Sequence, residues 1–128
     1  MILLDSDVVI DLLRQYPPAV QWFDQLDTGE EVVVSGYVVM ELIQGCQNKM
    51  EQERVLRVLA RYGVIWLSPG HCAYALDLFV KYRLNHNIGM LDALVGQTAL
   101  MLDEPLYTFN RKHYAAIPGL RMVHPYEK

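Results

Sequence analysis

Short apolar runs alternate with helix-like segments along this chain, and that alternation most restricts the fold. Runs of four or five aliphatic and β-branched residues are typical of buried strands. They fall at residues 1–4, 31–35, 64–67, 106–109 and 121–124. The segments between them carry apolar residues at helical spacing. Because neighbouring parallel strands need a crossover helix, the pattern predicts an α/β domain with a mostly parallel sheet of four to five strands, flanked by helices.

The helices between these strands are predicted from their caps and apolar stripes. The first helix is predicted to start near Ser6, and the others are predicted to span residues 17–29, 37–46, 49–62, 69–80 and 91–102. Residues 49–62 form the clearest amphipathic pattern, with Val55, Leu56, Leu59 and Tyr62 predicted to face inward. Residues 91–102 are apolar on nearly every side, which predicts a central helix. Residues 110–114 are predicted to form a short turn.

Length and composition limit the class of protein. A chain of 128 residues suits one domain, and a hydrophobic share of 52% argues against disorder. A net charge of −4 gives no general affinity for nucleic acid, so any such binding needs a local patch or a metal. We expect no signal peptide, no membrane span and a cytoplasmic location. Cys46 and Cys72 are expected to be free thiols, although a single disulfide remains open.

Two polar residues stand where predicted strands end. Asp5 directly follows the first strand, and Asn110 directly follows the fourth. Asp5 suits a helix N-cap and Asn110 suits a turn, so each residue alone has an ordinary structural explanation. Ligands of open parallel sheets bind at the carboxyl ends of the strands, which also makes both residues candidates for a site.

Two further acids lie in apolar helical segments. No lysine or arginine stands three or four residues from Glu41, and Asp92 is the only charged residue between Arg83 and Asp103. Each has an ordinary structural explanation: Glu41 as an edge residue that reaches water, and Asp92 as a favourable charge at a helix N-terminus. The absence of basic partners nevertheless favours a functional role, since glutamate is rarely buried unpaired.

If the strands are parallel, Asp5, Glu41 and Asp92 are expected to meet at one edge of the sheet. Three carboxylates without cationic partners repel one another at low dielectric, and a divalent cation relieves that repulsion. Oxygen ligands favour Mg²⁺ or Mn²⁺, and the four histidines show no zinc-ligand spacing. The sequence therefore predicts a site for Mg²⁺ or Mn²⁺, with Asn110 beside it.

Four stretches resemble the motifs of the PIN-domain ribonucleases, among them the small toxins of VapBC-type toxin–antitoxin pairs. In the order and near the spacing of that family they are LLDSDVVIDLL, SGYVVMELIQG, LDALVGQTALM and LYTFNRKHY. The resemblance covers essentially the whole chain. It implies a single PIN domain over residues 1–128 with a three-layer α/β fold. It also implies hydrolysis of RNA phosphodiesters with the help of Mg²⁺ or Mn²⁺.

The resemblance also implies roles for individual residues. Asp5, Glu41 and Asp92 match the family's metal-binding acids, and with Asn110 they are the predicted catalytic set. The metal is expected to neutralise the scissile phosphate and to activate a water molecule.

The remaining motif residues are expected to support that set. Ser6 matches the small hydroxyl residue beside the first aspartate, and Thr108 falls in the fourth motif. Asn110 stands where the family often has an acid, which leaves open whether one or two metal ions bind. Asp7 stands where many relatives have Asn; it either adds charge to the site or only stabilises the first helical turn.

The resemblance further implies RNA, a cognate antitoxin and a second copy of the chain as partners. Arg111, Lys112 and His113 either contact RNA phosphates or form a solvated turn; Arg14, Lys81 and Arg83 are weaker candidates. Residues 16–18 with Trp22 and Phe23 either form a groove for an antitoxin helix or belong to the core.

Two alternatives to a ribonuclease follow from the same residues. Asn110 favours a PIN-like binding module without catalysis. The opening DSDVV also fits the first motif of haloacid dehalogenase-like phosphatases, in which Asp5 would be a nucleophile. That fold needs a lysine near a strand end and a paired-acid motif, and the sequence offers neither.

Overall fold

A five-stranded parallel sheet forms the centre of the molecule in a computed structural model that describes residues 1–128. The strand order is β3-β2-β1-β4-β5, and every neighbouring pair is parallel. The strands are β1 (Ile2–Leu4), β2 (Val32–Ser35), β3 (Gly63–Ile65), β4 (Leu106–Tyr107) and β5 (Met122–Val123). The first strand therefore lies in the middle of the sheet, with all three residues buried.

Seven helices flank the sheet and complete the three-layer α/β architecture. They are α1 (Ser6–Leu13), α2 (Pro17–Asp24), α3 (Gly36–Gln44), α4 (Lys49–Leu59), α5 (Pro69–His86), α6 (Met90–Leu102) and α7 (Arg111–Tyr114). The predicted fold class is confirmed.

The predicted central helix is also confirmed. Six residues of α6 are buried, and α5 packs along it. Gly96 lets the chain after α7 approach α6 closely, because a Cβ at that position would stand 2.7 Å from Ile117 Cδ1. The core that surrounds α6 is one cluster of 18 buried hydrophobic residues from strands and helices alike.

Three local predictions are wrong. The second helix ends at Asp24 rather than at residue 29, since only Leu26 beyond it packs on the core. Leu56 is 46% exposed, because the inward stripe of α4 runs through Val55, Val58 and Leu59, and Leu56 is turned away from it by about 100°. Residues 111–114 form α7 rather than a turn.

Strand β4 is also shorter than the predicted run 106–109. The backbone N–H of Phe109 donates to the carboxylate of Asp7 at 2.9 Å instead of to a neighbouring strand. The backbone N–H of Asn110 donates to Thr108 Oγ1 at 2.9 Å. The last backbone hydrogen bond to the neighbouring strand runs from the Thr108 N–H to the Val123 carbonyl at 3.1 Å, and side-chain acceptors replace the sheet ladder after it.

Candidate active site

The carboxyl ends of β1 and β4 bring Asp5 and Thr108 together. Leu4 pairs with Tyr107 in the sheet, so the next residue of each strand emerges at the same edge. The backbone N–H of Asp5 donates to the carbonyl of Tyr107 at 3.0 Å. The Thr108 hydroxyl, fully buried, donates to Asp5 Oδ2 at 2.8 Å. The parallel sheet therefore creates this contact between residues far apart in sequence.

Asp5 is both a helix cap and a buried carboxylate. Its Oδ1 accepts from the backbone N–H of Ser6 at 2.8 Å at the start of α1, which confirms the N-cap prediction. The residue is only 4% exposed. Burial, together with the nearby charge of Asp7, raises the pKa of Asp5 to about 6, although bonds from Ser6 and Thr108 favour the ionised form. No lysine or arginine forms an ion pair with it.

Asp7 belongs to the same cluster of polar side chains, since its Oδ2 lies 3.4 Å from the Thr108 hydroxyl. We call this cluster at the carboxyl ends of β1 and β4 the acidic pocket. Its Oδ1 accepts from the backbone N–H of Val8 at 2.8 Å, and its Oδ2 accepts from the backbone N–H of Phe109 at 2.9 Å. Burial raises the pKa of Asp7, and the charge of Lys128 partly offsets that rise. Asp7 therefore stabilises the first turn of α1 and also holds the chain that follows β4.

Asp92, His113 and Asn110 form the opposite side of this pocket. Asp92 Oδ2 accepts from the backbone N–H of Gly89 at 2.9 Å and so caps α6. His113 Nδ1 lies 3.6 Å from Asp92 Oδ2 and 3.0 Å from Asn110 Nδ2, so the imidazole contacts both side chains. The polar atoms of Asn110 thus face the pocket rather than a solvated turn.

Tyr114 joins the two sides, and the sequence analysis did not single it out. It is 2% exposed. Burial, the charges of Asp5 and Asp92, and a hydrogen bond to Asp5 raise the pKa of the Tyr114 phenol. The aspartates Asp5, Asp7 and Asp92 thus surround one phenol. The only signal for Tyr114 in the sequence was its place at the end of the NRKHY stretch. That stretch forms α7, and Tyr114 is the residue of α7 that is buried.

Glu41 lies apart from this pocket. It is half-buried on α3, where its side chain forms no hydrogen bond or ion pair. It lines a groove of about 460 Å³ together with Arg14 and Arg54. No group of three or more histidine, cysteine, aspartate or glutamate side chains is close enough here to hold a metal ion. The structure therefore brings together Asp5 and Asp92 but not Glu41, and the three-acid set stays a prediction.

The remaining candidates divide between pocket and surface. Ser6 contributes its backbone N–H, and its half-buried side chain makes no hydrogen bond. Arg111 and Lys112 are exposed at the start of α7. The side chain of His113 is 45% exposed and lies against Asn110.

The candidate partner groove lies between α1, α2 and α4. Its volume is about 540 Å³, and Pro17, Phe23 and Tyr62 line it with Arg54 and Arg61. Trp22 is not part of it, because its ring packs on Tyr107 and Tyr126 at centroid distances of 5.8 and 5.9 Å. Phe23 therefore lines the groove, whereas Trp22 packs against other aromatic rings.

Two further observations bear on the class of protein. Cys46 and Cys72 are not bonded to each other and are half-buried. None of the seven helices combines the length and the apolar character needed to cross a bilayer.

The aspartates gather at the carboxyl ends of the central strands, which is where open parallel α/β folds bind their ligands. The sequence model of the PIN domain family matches residues 2–118. The chain belongs to the PIN domain family. That assignment removes the phosphatase alternative, and Lys81 indeed lies within α5 rather than at a strand end.

Known relatives cover nearly the whole chain. Ribonuclease VapC10 of Mycobacterium tuberculosis is 34% identical over 122 residues, which cover 94% of this chain and 91% of that protein. Ribonuclease VapC19 of the same species is 30% identical, with 94% and 98% covered. A chain of a toxin–antitoxin complex from Klebsiella pneumoniae is 26% identical, with a TM-score of 0.77 and full coverage of both chains.

Proposed function

We propose that this chain is a ribonuclease and the toxin of a toxin–antitoxin pair. The observation that carries the proposal is Asp5, a buried carboxylate whose pKa is raised to about 6 and which shares a pocket with Asp92. A buried carboxylate whose pKa is strongly perturbed beside other acidic side chains is a typical mark of a catalytic site. The relatives named Ribonuclease VapC10 and VapC19 support the same activity.

Asp5 and Asp92 are two of the predicted metal ligands. Both offer hard oxygen donors, and the burial of Asp5 without a lysine or arginine partner favours a cation beside it. We assign Asp5, Asp92 and Glu41 as ligands of Mg²⁺ or Mn²⁺. When bound, the cation supplies neutralisation of the phosphate charge and activation of water.

The other residues of the pocket orient these ligands and the substrate. Thr108 fixes the Asp5 carboxylate through its hydroxyl, and Asp7 holds the backbone of Phe109. Asn110 offers an amide to water or to RNA, and Ser6 a hydroxyl. Arg111 and Lys112, exposed beside Asn110, are placed to contact RNA phosphates next to the scissile bond.

The protein partners follow from two surfaces. The groove lined by Pro17, Phe23 and Tyr62 suits an amphipathic antitoxin helix, with Arg54 and Arg61 available for its acidic residues. A homodimer is supported by α5, where Leu76, Val80 and Leu84 are 59%, 65% and 80% exposed. These residues recur every four positions and form one apolar stripe that a second copy covers. A cytoplasmic location belongs to the same proposal, because that compartment holds RNA.

The experiment is a cleavage assay on a mixed set of single-stranded and structured RNAs with Mg²⁺, with Mn²⁺ and with EDTA. We expect cleavage with either metal and none with EDTA. Addition of the antitoxin encoded beside the gene is expected to suppress cleavage. Cleavage that persists in EDTA excludes the metal assignment without excluding the nuclease.

One observation favours a second function, a binding module without catalysis. Asn110 brings no charge, and its amide is already bonded to His113. If the chain binds its partner but cleaves no RNA with either metal, this second function replaces the first.

A further inference from the structure

A second acidic residue of α1 is half-buried outside the pocket and has two partners from the last residues of the chain. The side chain of Asp11 is 13% exposed. Its Oδ2 accepts from the Tyr126 hydroxyl at 2.7 Å and from Lys128 Nζ at 2.9 Å. No residue of the proposed reaction uses Asp11. It lies four residues after Asp7, on the same side of α1.

The same terminal segment surrounds the ring of Phe109. Lys128 Nζ lies 4.4 Å from the ring centroid, and the rings of His124 and Tyr126 lie 4.8 and 4.9 Å from it in edge-on orientations. We call residues 124–128 the C-terminal clamp. The clamp thus holds Phe109 by cation–π and aromatic contacts, while Asp11 holds the clamp.

Phe109 is the middle residue of the active-site segment 108–110. Its backbone N–H donates to Asp7, and its neighbours Thr108 and Asn110 supply polar atoms to the pocket. Asp7 therefore fixes the backbone of Phe109, and Asp11, one turn further along α1, fixes its side chain through the clamp. The two acids of one helix hold the same segment from its two sides.

We propose that Asp11, Tyr126 and Lys128 are positioning residues for RNA cleavage, which hold segment 108–110 against the acidic pocket through Phe109. The proposal rests on the proposed ribonuclease function. It assigns a role in the reaction to a part of the chain that lies beyond residues 2–118 matched by the family.

The test measures amide hydrogen exchange and cleavage on the full chain. Lys128→Met removes the cation from the Phe109 ring, and Asp11→Asn removes the charge that holds Lys128. Each is expected to speed exchange of the Phe109 and Asn110 amides about tenfold, while exchange in β1 and β2 stays unchanged. In the cleavage assay, kcat is expected to fall about tenfold with little change in KM.

The matched control is a second ion pair, one whose two side chains are both exposed. Arg121 Nη2 lies 3.2 Å from Asp103 Oδ1, with side chains 59% and 96% exposed. Asp103→Asn is expected to change neither the exchange of segment 108–110 nor kcat. Lys128→Arg keeps the cation and is expected to restore both quantities to the wild-type values.

The outcomes separate this proposal from the proposed function. Faster exchange at Phe109 without any nuclease activity in the wild type keeps the clamp and rejects the ribonuclease. Unchanged exchange at Phe109 in both variants, or a loss of kcat that Lys128→Arg fails to restore, overturns the clamp. Should Asp11→Asn fail to fold, Lys128→Met decides alone, because Lys128 is at the surface.

Discussion

The acidic residues of the candidate site lie in two regions that differ in how the side chains are held. Asp5 and Asp7 lie in a buried pocket, where backbone N–H groups and a threonine hydroxyl fix each carboxylate. Glu41 lies on the wall of an open groove, and its side chain bonds to nothing. The carboxylates of the first region are fixed before any ligand binds, whereas the Glu41 side chain stays free to rotate. We infer that Asp5 positions the metal ion and that Glu41 adds negative charge to the metal site.

The largest expected effect separates these two contributions. Asp5→Asn is expected to reduce kcat about a thousandfold, equivalent to roughly 4 kcal/mol of transition-state stabilisation, at every Mn²⁺ concentration. Glu41→Gln is expected to lose activity as severely at low Mn²⁺ and to recover most of it at high Mn²⁺, because a missing charge weakens metal affinity. Cleavage rates measured over a Mn²⁺ titration check this.

The matched control for both is Asp103→Asn, since Asp103 is 96% exposed at the end of α6. We expect wild-type rates at all Mn²⁺ concentrations. If instead Asp5→Asn recovers at high Mn²⁺ and Glu41→Gln does not, the assignment of position and charge is reversed.

The next effect is on stability, because a preformed pocket is strained when no cation compensates its charge. The pKa of Asp5 is raised from 3.8 to about 6 in the folded protein. Between these values the folded state binds a proton that the unfolded state has lost, so stability falls as pH rises. The loss is roughly 3 kcal/mol and is complete above about pH 6.

Urea denaturation in EDTA at about pH 4.5 and about pH 7.5 measures this loss. Asp5→Asn is expected to remove most of it and to make the metal-free protein more stable than wild type at the higher pH. Stability of wild type that rises over this interval, with Asp5→Asn less stable at both values, would show that Asp5 is a structural partner instead.

A smaller effect tests what holds the pocket in place. Thr108→Val removes the donor to Asp5 and the acceptor for the Asn110 backbone, and is expected to reduce kcat ten- to a hundredfold, within the range of about 10–100 typical of groups that orient metal ligands. The control is Thr98→Val, since Thr98 is equally buried but donates only to Leu94 of its own helix. Similar kcat values for the two variants would mean that Asp5 needs no orienting hydroxyl.

Much of this architecture follows from local sequence signals, whereas the contacts between residues distant in sequence do not. The strand after Met1 and the cap at Asp5 were predictable because an apolar run followed by Asp is a local signal. The central position of α6 was predictable from its composition. Because the strands are parallel, the carboxyl ends of β1 and β4 lie at the same edge of the sheet. The contact between Asp5 and segment 108–110 was therefore predictable as well.

The remaining details depend on contacts between distant residues. The shortening of β4 depends on Asp7, which lies 102 positions from Phe109 and takes its N–H. The inward turn of Tyr114 depends on α7, a helix too short to show an apolar period. The separate position of Glu41 depends on how α3 packs, which no spacing within its own segment reveals. The assignment of residues 1–128 to a single PIN domain likewise stays a prediction.

The smallest expected effect lies outside both acidic regions. The double variant Arg111→Gln and Lys112→Gln is expected to raise KM about fivefold with unchanged kcat, and to reduce the salt dependence of RNA binding. The matched control neutralises Lys49 and Arg57, which are exposed on α4. Equal changes in the two double variants, measured over a salt series, would mean that only overall charge matters.

Calorimetric titration of Mn²⁺ into the metal-free protein tests the central claim most directly, because it measures the cation at the pocket without relying on an RNA substrate. We expect a saturable isotherm for wild type, the same isotherm for Asp103→Asn, and none for Asp5→Asn. An isotherm for Asp5→Asn that equals the wild-type one would contradict the assignment of the pocket after β1 and β4 as the metal site of this protein.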